Sequence, residues 1–301
     1  MKIAISGSSG LIGSALAADL ASTGNEVVKL VRSAPRSASE VQWDPMADAG
    51  GLDPAALSGL DAVVHLSGAP VADKRWTAAR KSELRSSRIT STRSLVAAMA
   101  TADPTPGVLI CGSAIGYYGE TGDKTTDENS PAGTGFLADL VRDWESAAEG
   151  ATRSGTRVVN IRSGVVLAAG GGMLGRLMLP FKFGLGPRIG GGTQYLSWIS
   201  LTDEVRAIEF LLQADDIEGP VNLTAPEPVT NADFTRALAQ ALHRPALLWL
   251  PAGLLSAALG EVAGELLGSA RIVPTRLQEA GFTFRTPDIR TALTSIVAPA
   301  A

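Results

Sequence analysis

The sequence predicts an α/β fold in which a parallel sheet is covered by helices on both faces. Short runs rich in Val and Ile alternate with helical segments along the first half of the chain. Fully apolar strands separated by helices are typical of parallel sheets that are buried on both sides. The predicted strands are Lys2–Ser6, Glu26–Val31, Ala62–Leu66, Val108–Cys111 and Arg157–Ile161, and the predicted helices are Leu11–Ser22, Thr77–Ala100 and Phe136–Ala151.

The segment 136–151 shows the helical period most clearly, because its apolar side chains recur at the spacing of one helix face. Two later helices are predicted from their first residues. Ser200 with Asp203, and Thr230 with Asp233, match a pattern that caps free backbone N–H groups. The apolar face of 136–151 comprises Phe136, Leu137, Leu140, Val141, Trp144 and Ala148.

The length of the chain and a change in its pattern of strands and helices predict two structural units. The chain has 301 residues, which corresponds to roughly two domains. After about residue 163 the alternation of strands and helices fades, and glycine-rich loops occupy 170–175 and 184–192. We expect one domain built from 1–165, which the chain rejoins at about 200–223, and a smaller substrate-side lobe from 166–199 and 224–301.

Composition excludes several classes of protein. The 26 Lys and Arg against 30 Asp and Glu give a net charge of −4, which argues against a protein whose whole surface binds nucleic acid, though not against a local basic patch. The one Cys and two His argue against a disulfide framework and a metal site. The chain begins without the apolar region of a signal peptide, and charges interrupt its longest apolar stretch. We therefore expect a cytoplasmic protein that is not embedded in a membrane.

A glycine-rich loop joins the first strand to the first helix. In Gly7-Ser-Ser-Gly10-Leu-Ile-Gly13, the first glycine permits a tight turn, the second a close approach of backbone to pyrophosphate, and the third close helix–sheet packing. The start of the helix offers N–H donors to an anion. The loop predicts a dinucleotide site with contacts from Gly7, Ser9, Gly10, Leu11, Ile12 and Gly13.

The end of the second strand predicts which dinucleotide binds. An NAD enzyme places an acid about 20 residues beyond the loop, on the ribose 2′-hydroxyl. Here Val31 and Arg32 stand at that point, and no acid lies between Glu26 and Glu40. Because a guanidinium pairs with a 2′-phosphate, NADP(H) is favoured over NAD(H). The alternative is that Arg32 is a solvated residue at a strand end.

Several segments carry a family resemblance: Gly7–Gly13, His65–Pro70, Ser87–Ile89, Ser113–Gly119, Arg162–Leu167, Gln194–Ile199 and Ala225–Asn231. In these segments the chain resembles the atypical extended short-chain dehydrogenases/reductases, in the subgroup called the epimerase family. The resemblance covers nearly the whole chain. It implies a Rossmann-type fold and a nicotinamide cofactor, and it leaves the substrate undefined.

The resemblance also implies further cofactor contacts. These are Leu66, Ser67 and Gly68 after the third strand, Glu83 and Arg88 on the following helix, and Val166 near the nicotinamide end. The helical spacing of Lys81, Arg85 and Arg88 predicts one positive helix face, unless these are ordinary solvated cations.

The catalytic pair that the resemblance implies is missing. Related enzymes transfer a proton from a Tyr that is followed four residues later by a Lys, but here those positions are Phe136 and Leu140. Ser113 remains as a group that polarises a carbonyl, and Tyr117 as a replacement proton donor. The alternative for Tyr117 and for its neighbour Tyr118 is ring packing with the hydroxyl at the surface.

The remaining expectations concern the substrate and the core. Arg188, Gln194 and Trp198 are predicted to form the substrate wall, although Arg188 also fits a surface arginine. We expect Cys111 to be a buried apolar residue, and His65 to be either a core histidine or a neighbour of the cofactor.

Two hypotheses for the function follow. The first is an NADP(H)-dependent oxidoreductase or epimerase-like enzyme acting on a small carbonyl or hydroxyl substrate. The second is a catalytically silent NADP(H)-binding sensor or scaffold. The helices at 77–100 and 136–151 resemble those that pair in dimers of the family, so a homodimer is a further expectation.

Overall fold

The computed structural model describes residues 1–47 and 50–298. Its strands are β1 Lys2–Ser6, β2 Glu26–Val31, β3 Glu40–Gln42, β4 Ala62–His65, β5 Val108–Ala114, β6 Thr125–Thr126, β7 Arg157–Ser163, β8 Val165–Leu167, β9 Pro187–Ile189, β10 Tyr195–Leu196, β11 Trp198–Ser200, β12 Gly219–Leu223, β13 Val229–Thr230, β14 Leu248–Leu250 and β15 Arg271–Ile272. Its helices are α1 Leu11–Ser22, α2 Ala78–Ala100, α3 Phe136–Glu149, α4 Gly172–Lys182, α5 Leu201–Gln213, α6 Asn231–Ala241, α7 Ala252–Leu259, α8 Ala263–Leu267, α9 Thr275–Glu279 and α10 Ile289–Val297.

Seven strands form one parallel sheet in the order β12-β7-β5-β4-β1-β2-β3. The chain runs outward from β1 through β2 to β3, then crosses back to β4 on the other side of β1. The strand order therefore reverses between β1 and β4. Ligands of open α/β sheets bind at such a reversal, outside the carboxyl ends of the strands.

Strand side chains alternate between two hydrophobic layers, one on each face of the sheet. Ile3 and Ile5 of β1 point into a layer with α1 and α5, whereas Ala4 points into a layer with α2 and α3. Both layers are closed to solvent, which explains why the strands are apolar on both faces. The predicted fold class is confirmed.

A third apolar cluster holds the remaining elements together. It combines α4, α6 and α10 around Trp198 and Phe234, both of which are almost fully buried. The short pairs β8–β11, β9–β14 and β10–β13 lie in this part of the chain. Leu167 and Ala225, which follow β7 and β12, belong to this cluster, so it lies beside the carboxyl ends of these strands.

The C-terminal segment is tied to the sheet by buried polar contacts. Asp203, in the first turn of α5, accepts hydrogen bonds from the backbone N–H groups of Arg285 and Thr286, both at 2.9 Å, and from the Thr286 hydroxyl at 2.5 Å. The Ser200 hydroxyl caps the same helix turn and bonds Thr286 at 2.7 Å. One carboxylate thus fixes both a helix start and a distant loop.

The predicted elements agree closely with those observed. β1, β2 and α1 have the predicted bounds, and Ser200 and Thr230 cap α5 and α6 as expected. β5 and β7 each continue further than predicted, to Ala114 and Ser163. None of the helices in 1–47 and 50–298 is both long and apolar enough to cross a bilayer.

We predict that Asp203→Ala lowers the free energy of unfolding by about 3 kcal/mol, because several buried donors lose their shared acceptor. Asp233→Ala is the matched control, since Asp233 holds the same position in α6 but its side chain is 48% exposed. We expect the control to cost less than about 1 kcal/mol. Urea denaturation measures both values, and equal losses would contradict the role given to Asp203.

Candidate functional site

The glycine loop lies at the carboxyl end of β1, beside the loop that follows β4. A Cβ at Gly7, whose φ is +70°, would stand 2.7 Å from the carbonyl carbon and oxygen of Leu66. A Cβ at Gly13 would stand 2.3 Å from the carbonyl oxygen of Gly7. Both positions therefore exclude a side chain. Because Gly7 and Gly13 have no Cβ atom, α1 can pack close to the glycine loop and to the loop after β4.

Helix α1 starts with backbone donors directed at this edge of the sheet. Gly10 is the residue before its first turn and supplies no side chain to cap the N–H groups there. Ser9 and Gly10 are exposed, whereas Leu11 and Ile12 are half-buried. Uncapped N–H groups and the positive end of the helix dipole together favour an anion. The loop therefore fits the pyrophosphate of a dinucleotide.

Arg32 directly follows β2, which pairs with β1 next to the glycine loop. Its side chain is exposed, and among the described residues no hydrogen-bond acceptor or carboxylate engages it. Val31, before it, is half-buried. A guanidinium in this position is available to a ligand that lies along the loop.

Leu66, Ser67 and Gly68 form the opposite rim, and Arg88 shapes it from beneath. The Arg88 guanidinium donates to the carbonyls of Ala69 at 3.0 Å and Leu84 at 3.2 Å, and it lies 5.2 Å from the Trp144 ring. Burial lowers its pKa to about 10. Arg88 thus positions the Gly68 loop through two donors that bond backbone carbonyls.

The prediction that one face of α2 is positively charged is wrong. Lys81 pairs with Glu261 at 2.5 Å, Arg85 pairs with Asp143, and Arg88 turns inward. Carboxylates of neighbouring elements therefore neutralise the two outward cations. Glu83 also points outward, and its hydrogen bond from Arg80 at 2.7 Å lowers the pKa of its carboxyl.

Val166 comes close to the glycine loop through the start of α4. A Cβ at Gly172 would lie 3.3 Å from the carbonyl oxygen of Val166 and 3.5 Å from the Leu11 side chain. Residues from two distant segments, both predicted to contact cofactor, are thus gathered around one helix start. The fold brings them to the same edge of the sheet.

A buried polar network lies under the carboxyl ends of β5 and β7. The Ser113 hydroxyl donates to Glu145 Oε1 at 2.6 Å, and Arg162 forms two bonds of 2.8 Å to the Glu145 carboxylate. Although burial alone lowers the pKa of Arg162, the Glu145 contacts raise it overall. A Ser113 hydroxyl that polarises a carbonyl must therefore first turn away from Glu145.

The two tyrosines of the loop after β5 meet the same arginine. The Tyr118 hydroxyl accepts from Arg162 Nη1 at 2.9 Å and donates to Asn222 at 2.8 Å. Tyr118 is buried, so the alternative that its hydroxyl lies at the surface is wrong. Burial also raises the pKa of this hydroxyl to about 12. Tyr117 is half-buried, and the Arg162 guanidinium lies 3.4 Å from its ring centroid.

The positions expected for a Tyr and a Lys hold apolar side chains that pack. Phe136 starts α3 with its ring 5.2 Å from that of Trp76, and Leu140 is only 1% exposed. Neither a phenyl ring nor an isobutyl group can transfer a proton. Lys81 Nζ lies 5.2 Å from the Phe136 ring centroid.

A second acid lies on the other face of the sheet. Glu204 in α5 is fully buried and accepts from the Ser163 hydroxyl at 2.5 Å. Its other oxygen has no hydrogen-bond partner among the described residues. Burial raises the pKa of this carboxyl to about 8, against the opposing effect of Ser163. Glu204 therefore carries a proton over much of the neutral range.

A cavity of about 520 Å³ opens beside the tyrosine loop. Gln194 lines it, together with Glu120, Asp123 and Leu267. Trp198 does not, because β11 is a buried strand and the Trp198 indole donates to the carbonyl of Glu227 at 3.1 Å, so its predicted role as substrate wall is wrong. Arg188 is exposed on β9.

His65 and Cys111 are core residues. His65 Nδ1 lies 2.6 Å from the Ser6 hydroxyl oxygen, and full burial lowers its pKa to about 3. Cys111 is fully excluded from solvent within the layer of α2 and α3. The structure thus decides the open alternative for His65 in favour of a satisfied core histidine.

Sequence reasoning missed Glu145, Glu204 and the role of Arg162. Glu145 had a signal, since it lies four residues after Val141 and so on the edge of the buried face of α3. A carboxylate on a buried helix face needs a partner. That partner is Arg162, on a strand 17 residues later, and only the folded structure shows the pairing.

The fold and this cleft define a Rossmann-type α/β protein of the short-chain dehydrogenase/reductase kind. The model of the NAD dependent epimerase/dehydratase family matches residues 3–223. Residues 250–296 match a domain of unknown function, DUF1731. The chain belongs to the NAD dependent epimerase/dehydratase family.

Relatives support this over the full length. The chain is 51% identical over 292 residues to epimerase family protein Mb2239 of Mycobacterium bovis, covering 97% of this chain and 96% of the relative. It is 35% identical over 302 residues to epimerase family protein SDR39U1 of Homo sapiens, covering 99% and 100%.

Solved structures agree. The human epimerase family protein SDR39U1, isoform 2, crystallised with NADPH, has a TM-score of 0.91 at 33% identity and covers 99% of both chains. UDP-N-acetylglucosamine 4-epimerase from Bacillus cereus has a TM-score of 0.79 at 18% identity, covering 99% and 98%, and shows the shared fold alone.

We predict that Glu145→Ala lowers the free energy of unfolding by about 3 to 5 kcal/mol, because Arg162 would stay buried without its counter-charge. Asp139→Ala on the same helix is the control. Its pair with Arg142 is about half exposed, so we expect a loss within roughly 0.5 kcal/mol. Urea denaturation of both variants tests this, and a loss below that of the control would refute it.

We also predict a pH effect from Glu204. Between pH 4.5 and about 8 the folded state holds a proton that the unfolded state releases, so this group makes stability fall as pH rises through that window. The slope is at most about 1.4 kcal/mol per pH unit. Glu204→Gln should flatten the curve measured by urea denaturation between pH 5 and 8. Identical curves for both proteins would rule out the raised pKa.

Proposed function

We propose that this protein is an NADP(H)-dependent oxidoreductase or epimerase-like enzyme acting on a small carbonyl or hydroxyl substrate. The carrying observation is the glycine loop, where the backbone contacts of Gly7 and Gly13 leave no room for a Cβ and α1 presents uncapped N–H groups. The human relative whose structure contains NADPH supports the same cofactor.

Different residues would contact the pyrophosphate, the adenosine side and the nicotinamide of the cofactor. The N–H groups of Leu11 and Ile12 would hold the pyrophosphate, with Gly7, Ser9, Gly10 and Gly13 shaping the loop, where the Gly10 N–H already bonds the Gly7 carbonyl at 2.9 Å. Leu66, Ser67 and Gly68 would line the adenosine side, with Glu83 at its edge and Arg88 behind the rim. Val166 would approach the nicotinamide, which supplies hydride transfer when bound.

Specificity for NADP(H) rests on Arg32. An exposed guanidinium pairs with a 2′-phosphate, and no neighbouring carboxylate competes for it among the described residues. Val31, the last residue of β2, would flank the adenine.

Tyr117 is the proposed proton donor. Reduction of a carbonyl requires a proton at oxygen, and the half-buried Tyr117 carries a phenolic hydroxyl on a ring that lies beside Arg162. Ser113 is its electrophilic partner once its hydroxyl leaves Glu145. Gln194 and Arg188 are proposed to meet the substrate.

A silent NADP(H)-binding sensor is the second candidate. It is favoured by Phe136 and Leu140, which pack as apolar residues where related enzymes carry the catalytic pair. We further infer a homodimer through α2 and α3, and a cytoplasmic location without membrane or nucleic-acid partners; these stay predictions, as does the division into 1–165 with 200–223 and 166–199 with 224–301.

We predict that calorimetry finds NADPH and NADP⁺ binding more tightly than NADH and NAD⁺. Arg32→Asp should weaken NADPH binding by about tenfold or more, because a carboxylate repels the 2′-phosphate. Arg93→Asp, the same charge change at an exposed position of α2, is the control and should bind like the wild type. Equal affinities in all three proteins would refute the Arg32 assignment.

We predict consumption of NADPH with at least one member of a panel of small aldehydes, ketones and quinones. Tyr117→Phe should lower that turnover by about 100-fold while leaving NADPH affinity unchanged. Turnover that survives Tyr117→Phe would exclude its proposed role. Tight NADPH binding by the wild type without turnover would favour the sensor.

A further inference from the structure

A second cavity, of about 300 Å³, is lined, apart from Tyr195, by residues outside the segment matched by the epimerase/dehydratase model. Its walls are one face of α6, the start of α10, and the strands β10, β13 and β15. Tyr195 belongs to the lining of this cavity and also to that of the 520 Å³ cavity beside the tyrosine loop. The two cavities therefore share a wall.

Three arginines from three separate elements line the 300 Å³ cavity: Arg236 of α6, Arg271 of β15 and Arg290 of α10. The carboxylate in the lining is Asp233, which pairs with Arg236 at 2.8 Å and accepts from the Thr230 hydroxyl at 2.6 Å. Asp233 therefore compensates one arginine and leaves two positive charges. This excess occurs in a chain whose net charge is −4.

Arg271 and Arg290 have no carboxylate partner among the described residues. Arg271 lies with its guanidinium carbon 5.1 Å from the Tyr195 ring centroid, and it reaches one backbone carbonyl, that of Asp123, at 3.4 Å. Arg290 is exposed. The nearby Asp288 is occupied as the cap of α10, bonding the backbone N–H groups of Arg290 and Thr291 at 3.0 and 2.9 Å.

We propose that this cavity is an anion-binding site for the phosphate or carboxylate group of a small molecule. Guanidinium groups present paired N–H donors that match both anions, and an anion between them relieves the repulsion of like charges. The side chains of Tyr195 and Gln240 add polar groups to the same lining.

The site gives the C-terminal segment a binding role. Arg271 and Arg290 both lie within 250–296, the segment that matches a domain of unknown function. They line one cavity with Arg236 because α10 packs against α6 and the residue before β15 bonds the backbone of β10. The lining of this cavity shares no residue with the glycine loop, so we expect the anion to bind independently of a dinucleotide.

The test measures binding of inorganic pyrophosphate and of citrate by calorimetry at constant ionic strength, with and without saturating NADPH. We expect Arg271→Gln and Arg290→Gln each to weaken binding at least about tenfold. Arg142→Gln, an exposed arginine of α3 outside the cavity, is the control and should bind like the wild type. Thermal unfolding of each variant checks that it folds.

The outcomes separate the sources of the anion. Loss of pyrophosphate binding in the two cavity variants supports a phosphate-bearing ligand, and the same loss for citrate supports a carboxylate-bearing one. Binding that NADPH abolishes would place the anion at the glycine loop and overturn the proposal. Absence of binding at millimolar concentration, or equal affinity in all variants, would also overturn it. Anion binding is also measured without NADPH, so the result for this cavity can be interpreted even if the proposed function fails.

Discussion

The buried ion pair between Glu145 and Arg162 joins the main layers of the molecule. Glu145 lies on α3, Arg162 on β7, and their contacts extend to Ser113 on β5 and to Tyr118 in the loop that follows it. An isolated charge at this depth would be very costly, so each member holds the other in one geometry. The loop carrying both tyrosines is fixed by the same pair.

From Tyr118 the network continues to the C-terminal segment. Asn222 receives the Tyr118 hydrogen bond and donates its own amide to the carbonyl of Val273, and its backbone N–H reaches Glu128 at 2.9 Å. The Arg276 backbone N–H approaches the same Glu128 carboxylate. The segment 250–296 is thus built onto the sheet through polar contacts as well as apolar ones.

The sequence was sufficient for the parallel sheet and the glycine loop because both depend on local signals. Periodicity set the bounds of β1, β2 and α1, and the glycine spacing marked the turn between β1 and α1. Partner choice is not local. The burial of Trp198, the inward turn of Arg88 and the pairing of Lys81 with Glu261 each depend on an element far along the chain. Spacing on one helix therefore could not reveal which cations stay free.

Cys111 has a practical consequence for work on this protein. It is the single cysteine of the chain, it is fully buried in the layer beneath α2 and α3, and burial raises the pKa of its thiol to about 12. The thiolate is the form that reacts with alkylating reagents and oxidants, so the folded chain resists both. A cysteine introduced at an exposed position would then be the sole reactive thiol, which permits labelling with a spin probe or fluorophore at one chosen point without first removing the native residue.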